Sequence, residues 1–188
     1  SAIELMKNAF FAPNLLLLDA THRDAQELSH LVDAAKFSGL GILVYLPQPN
    51  KALGSAQRVS VWLSDRSPDW PLRMHNANLD LPILLGILLT GWRSGTLFLN
   101  TVITDPNSSA DARHFLHEIK RKGRLPEGTR TQVHETSFLE AVQQAETADI
   151  HLFGLPPDAN PSRLREIQAQ TESACLFVLD SGGESLLA

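Results

Sequence analysis

His114 and His117 are three residues apart, and on a helix that spacing brings two imidazoles to one face, with His134 or His151 as third ligands for a metal from further along the chain. The same two positions flank an apolar stripe, and solvent-facing histidines account for them without a ligand, so no metal site is expected. His22, between Asp19 and Asp24, has the makings of an acid/base cluster, while capping by Asp24 and ordinary hydrogen bonding by His22 use the same side chains structurally. The turn Asp-Ser-Gly-Gly-Glu-Ser at 180–185 carries the only adjacent glycines, and its backbone could form an anion-binding nest with Ser181 and Ser185 beside it. No helix follows to add its dipole, and no basic residue lies beyond it. Cys175, the single cysteine, sits within the apolar run 174–179 and reads as a buried, inert thiol. No G-x-S-x-G motif supports a nucleophilic serine. The basic run 120–124 complements the end of a helix and lacks the interleaved aromatic residues of a single-strand platform. No catalytic, metal-ligating or cofactor-binding residue is assigned, and the chain is expected not to be an enzyme.

The segment 62–74, Trp-Leu-Ser-Asp-Arg-Ser-Pro-Asp-Trp-Pro-Leu-Arg-Met, holds two of the three tryptophans and charges of both signs. Trp, Arg and Met are favoured at recognition surfaces, and a connection longer than the usual ~4–6 residues is often functional. The reading is an exposed contact surface, with Arg66, Trp70, Arg73 and Met74 as interface candidates and Trp70 as anchor. A buried Trp62 with a folded-back loop is the alternative.

The elements that position these residues alternate. Residues 14–19 and 40–46 are continuous apolar runs, as expected of strands covered on both faces, and the first is placed in the sheet interior. Between them Ala25, Leu28, Leu31, Val32 and Ala35 recur at helical spacing, with Asp24 as cap and Ser38-Gly39 as stop. Strand, helix, strand implies a parallel right-handed crossover. Residues 59–63 alternate apolar and polar, which suggests an edge or half-covered strand. A leucine-rich helix follows at 79–92, with Pro82 in its first turn. Strand 96–104, helix 109–122, a weak strand 131–135, helix 137–146, strand 149–155, helix 161–173 and strand 174–180 complete the chain. The pattern predicts an α/β fold in three layers, a mainly parallel sheet with helices on both faces. Residues 1–188 are read as one domain, with a possible division into lobes 1–94 and 95–188. In such a sheet ligands lie at the carboxyl ends of strands, which directs attention to the turns after Asp19, Leu46, Thr104 and Asp180. The turn after Asp19 has no glycine, and neither a Walker A sequence nor G-x-G-x-x-G occurs, so dinucleotide and P-loop chemistry are not expected.

Composition narrows the class further. A net charge of −5 and a pI near 5.8 give no broad attraction for nucleic acid or anionic lipid. With 43% hydrophobic and 20% charged residues the chain has the material for a core and no signature of disorder. One cysteine forms no intrachain disulfide, which suits a reducing compartment. The most apolar stretch, 79–89, is interrupted by Asp80 and Pro82 and is far shorter than the ~20 residues a bilayer requires, so no membrane insertion is expected. Ser1, without an initiator methionine, suggests a fragment of a longer protein.

Pro13-Asn14 opens the run Leu15 to Leu18; Val59-Ser-Val-Trp62-Leu63 follows, then Asn78-Leu-Asp-Leu81, Leu84-Leu85, Leu88-Leu89 and Trp92. In order and approximate spacing this resembles the C-terminal cytosolic domain of the cation-chloride cotransporter family, within the amino acid-polyamine-organocation superfamily. The likeness is to prokaryotic members: the paired tryptophans and Asp-Asp-Gly-Gly turn of animal members are absent, and Ser-Asp-Arg-Ser-Pro-Asp-Trp stands at 64–70 instead. The resemblance implies a universal-stress-protein-like fold and a homodimer on the cytoplasmic side of the membrane, beneath the transmembrane domain of the same transporter. It also implies that transport residues lie in membrane helices outside this chain, and a non-catalytic role in assembly, trafficking or control. Nucleotide sensing is the alternative, and it would need a glycine-rich phosphate loop that the surroundings of Gly154 and Gly182 lack.

Overall fold

In a computed structural model of the chain, the described residues are 13–49, 53–64, 70, 79–91, 94–156 and 160–187. The strands are β1 (Leu15–Asp19), β2 (Gly41–Leu46), β3 (Arg58–Leu63), β4 (Thr96–Val102), β5 (Arg130–His134), β6 (Ile150–Gly154) and β7 (Ala174–Leu179). The helices are α1 (Ala25–Phe37), α2 (Asp80–Gly91), α3 (Ser109–Lys122), α4 (Phe138–Gln144) and α5 (Pro161–Thr171), and the alternating order is the one the sequence predicts.

Local chemistry sets the helix ends. The Asp24 side chain accepts the Glu27 N–H at 2.8 Å and starts α1; Gly39, at φ 65°, turns the chain out of it. α4 opens on a capping box between Ser137 and Glu140, and α5 on Asn160 followed by Pro161.

The seven strands form one sheet in the order β1-β2-β7-β6-β3-β4-β5. β1 and β2 are parallel, β2 meets β7 antiparallel, and β7, β6, β3, β4 and β5 are mutually parallel. Two parallel blocks are therefore joined at one antiparallel seam. Strands from both halves of the sequence interleave, since β7 and β6 lie between β2 and β3.

Helices cover both faces. Val59, Val61, Leu97, Leu99, Leu152 and Leu176 pack on one side with α2 and α3; Ile42, Val44, Trp62, Phe153 and Phe177 pack on the other with α1, α4 and α5. Burying these two layers supplies the main stabilisation of the fold. Gly86 lets α2 sit close to the sheet: a Cβ there would come within 2.8 Å of Leu97 and 2.9 Å of Val61.

Two strand positions differ from the sequence reading, and they differ as a pair. β1, expected in the interior, pairs only with β2 among the described residues, and Leu17 is 56% exposed. An apolar run registers hydrophobicity but not which neighbour lies alongside. β3, expected at an edge, is central, between β6 and β4, with its last five residues buried. Its polar alternation comes from Ser60, which accepts a hydrogen bond from Asn100 Nδ2 at 2.9 Å across the strands instead of facing solvent.

Candidate functional site

The residues singled out for chemistry in the sequence settle into structural roles. His114 and His117 are exposed on α3, on the opposite face of the sheet from His134 and His151, and no group of three metal-ligating side chains occurs among the described residues. Asp19 accepts the Thr21 N–H at 2.8 Å and the Thr21 hydroxyl, and these bonds hold its carboxyl below the usual range. Burial pushes the Cys175 thiol up to about 12, so it is not a nucleophile near neutrality. Arg121 and Lys122 pair with Glu118, while the Lys120 ammonium donates to the Thr129 carbonyl.

The glycine turn at 180–185 is already occupied by its own chain. Glu184 accepts the Ser181 N–H at 3.0 Å, the Gly182 N–H at 3.2 Å and the Ser181 hydroxyl at 2.8 Å, filling the nest with a carboxylate. Asp180, beside it, has its carboxyl raised to about 6, first by burial and then by the Glu184 charge. The N–H groups of Leu81 and Leu79 at the start of α2 donate to Asp180 and pull the other way.

Of the interface candidates, Arg66, Arg73 and Met74 lie outside the described residues. Trp70 is 5% exposed and meets the Phe115 ring edge-on, with centroids 5.5 Å apart. The expected exposure of Trp70 is thus corrected: α3 and the sheet bury its ring, because an indole gains more from an apolar neighbour than from water. Trp62 is buried as well.

Sequence reasoning missed a polar lane beneath α4. Trp62 Nε1–H donates to His151 Nδ1 at 3.0 Å, which fixes the proton of neutral His151 on Nε2. Asn100 joins Ser60 to His134, whose Nε2 lies 3.0 Å from Asn100 Oδ1, and burial lowers the pKa of His134. The Trp62 ring stacks with His134 at 5.3 Å and with Phe153 at 6.0 Å between centroids. This lane ends at the carboxyl ends of β3 and β6, where α2 and α5 depart to opposite faces and leave a crevice. The turns checked in sequence follow β1, β2, β4 and β7. Placing β3 beside β6 requires the strand order, although large aromatic residues next to last in two strands, Trp62 in β3 and Phe153 in β6, are the signal available in the sequence.

The sequence profile of the family described as prokaryotic cation-chloride cotransporter, C-terminal domain, second part, matches residues 54–187, well over half of the chain. The chain belongs to that family. The cotransporter domain is also similar to the crystal structure of the cytoplasmic domain of a prokaryotic cation chloride cotransporter. The TM-score is 0.87 at 26% identity, over 99% of this chain and 71% of that one. Two chains from Pseudomonas aeruginosa, one of unknown function and one assigned to the universal stress proteins, give TM-scores of 0.47 at 11% and 12% identity. Each match covers 87% of this chain and 62% of the other. No curated protein matches the sequence. Among the described residues of the cotransporter domain, no helix is long and apolar enough to cross a membrane.

Proposed function

We infer that residues 1–188 act as one cytosolic, non-catalytic unit that assembles and controls a cation-chloride cotransporter, docked beneath the transmembrane part of the same protein as a homodimer. The observation that carries this reading is the extent of the likeness: 99% of the chain superposes on the cytoplasmic domain of such a transporter at a TM-score of 0.87. Physical chemistry supports the non-catalytic part. The cysteine is buried and protonated, the glycine turn is filled by Glu184, and the histidines of α3 stand apart from those of the sheet. Nucleotide sensing would need free backbone donors for phosphate, and the described glycine pair has given its donors to Glu184 and Ser181.

The segment 64–74 is the proposed contact surface, with Arg66, Arg73 and Met74 as its contact candidates and Trp70 tying it to the core. Sedimentation of the 188-residue chain tests the assembly step. The wild type should sediment as a dimer, and a double variant Arg66→Glu, Arg73→Glu should dissociate at least about tenfold more readily with an unchanged melting temperature. A monomeric wild type at 100 µM, on the order of the weakest useful affinity, would refute the dimer.

A further inference from the structure

Within the parallel block the chain leaves β3 for α2 on one face and β6 for α5 on the other, so the carboxyl ends of these neighbouring strands part around a crevice. The crevice has a volume of about 380 Å³ and lies between the ends of β3, β4 and β6, the first turn of α4 and the side of α5. That is room for a molecule on the order of 15 non-hydrogen atoms.

Its walls are aromatic. Trp62 and Phe153 are stacked with an interplanar angle of 21°, and Phe138 meets Trp62 edge-on at 5.9 Å and Phe153 at 5.7 Å. The Trp62 N–H is committed to His151, and Trp62 and Phe153 are only 4% and 3% exposed, so these two rings back the crevice while the half-buried Phe138 offers the accessible ring. The hydroxyls of Thr136 and Ser137 on the rim are directed to Glu140. Among the described residues, Arg163 is the one charged side chain lining the crevice. Its ion pair with Glu166 is long, 3.9 Å, and both side chains are more than half exposed, so the guanidinium is weakly held and can turn to an incoming anion.

A polyphosphate does not suit this place. α5 begins with Pro161, which has no N–H, and the next donor, Ser162 N–H, is taken by Asn160 Oδ1 at 2.9 Å. A single planar anion suits it, because a carboxylate matches a guanidinium in two parallel hydrogen bonds while a flat ring fills the space beside the aromatic walls.

We propose that this crevice binds a small aromatic monocarboxylate, its ring packed against Phe138 over the floor backed by Trp62 and Phe153, and its carboxylate on Arg163. The site involves only this chain and stands or falls separately from the transporter reading.

Calorimetric titration of the 188-residue chain with naphthoate, naphthamide, adenosine and ATP tests it. Naphthoate should bind one per chain with a Kd below about 1 mM. Arg163→Gln should weaken naphthoate at least about fivefold and leave the uncharged amide within about twofold. Val102→Trp, a half-buried position on the wall, should weaken both probes about tenfold or more. The melting temperature of each variant is checked first, and Arg163, being exposed, can be altered without touching the core. Absence of naphthoate binding up to about 5 mM overturns the proposal, as does binding that Arg163→Gln leaves unchanged. ATP binding more tightly than both adenosine and naphthoate overturns the assigned ligand class.

Discussion

Replacing Asp180 by Asn should stabilise the protein at alkaline pH and not at acid pH. Asp180 follows β7, accepts N–H groups from Leu79 and Leu81 at the start of α2, and shares its surroundings with Glu184. Burial and the Glu184 charge raise its carboxyl from 3.8 to about 6, so the folded chain holds this proton more tightly than the unfolded chain does. Stability from this group is therefore greatest below about pH 4, declines as pH rises between about 4 and 6, and stays lower above that. A shift of about two units corresponds to roughly 3 kcal/mol, and because the side chain is only partly buried, solvent screening reduces the expected cost to about 1–2 kcal/mol. Asparagine keeps a carbonyl oxygen for the two N–H donors and removes the charge. Urea unfolding at pH 4 and pH 8 is the assay. At pH 8 the variant midpoint should rise by about 0.5 M, given a slope near 2 kcal/mol/M, and at pH 4 the two proteins should unfold within about 0.2 M of one another. A variant less stable than wild type at pH 8, with the deficit growing as pH rises, would show that Asp180 serves as an ionised helix cap and would refute this reasoning.

Trp70→Ala removes a ring packed on Phe115 and should cost about 3–5 kcal/mol of fold stability, seen as a lower urea midpoint; a loss under about 0.5 kcal/mol would place the ring outside the core. Trp62→Phe keeps most of the ring volume but leaves His151 Nδ1 without its donor, so a loss of about 1–3 kcal/mol is expected, and a neutral result would mean the bond at 3.0 Å contributes nothing. Cys175, fully buried with its thiol pushed up to about 12, should resist iodoacetamide in the folded protein at pH 8 and react once unfolded; rapid alkylation of the native chain would contradict its burial.

The order and kind of the elements were legible because capping residues and periodicity are local. Asp24, Ser137 and Asn160 mark helix starts in the chain itself, and each cap is present in the fold. Strand neighbours are not local. Leu15 to Leu18 reads the same whether it lies at an edge or in the middle, and the antiparallel seam between β2 and β7 joins residues more than a hundred positions apart. The alternation over 59–63 suggests an edge or half-covered strand only because Asn100, the partner of Ser60, belongs to another strand. The crevice was hidden for the same reason: Trp62 and Phe153 become one wall only when β3 and β6 are paired. Trp70 has the composition of an interface and the position of a core residue, and composition alone does not separate the two.

Chloride-dependent cation uptake by proteoliposomes containing the whole transporter, with and without this domain, tests the proposed assembling and controlling role most directly. Removing the domain should lower the maximal rate several-fold, through loss of assembly or control, and leave the half-saturating concentrations of chloride and the cation unchanged within about twofold. Uptake at the full rate without the domain would contradict it, as would half-saturating ion concentrations that shift about tenfold, since that would place ion-binding residues in this chain.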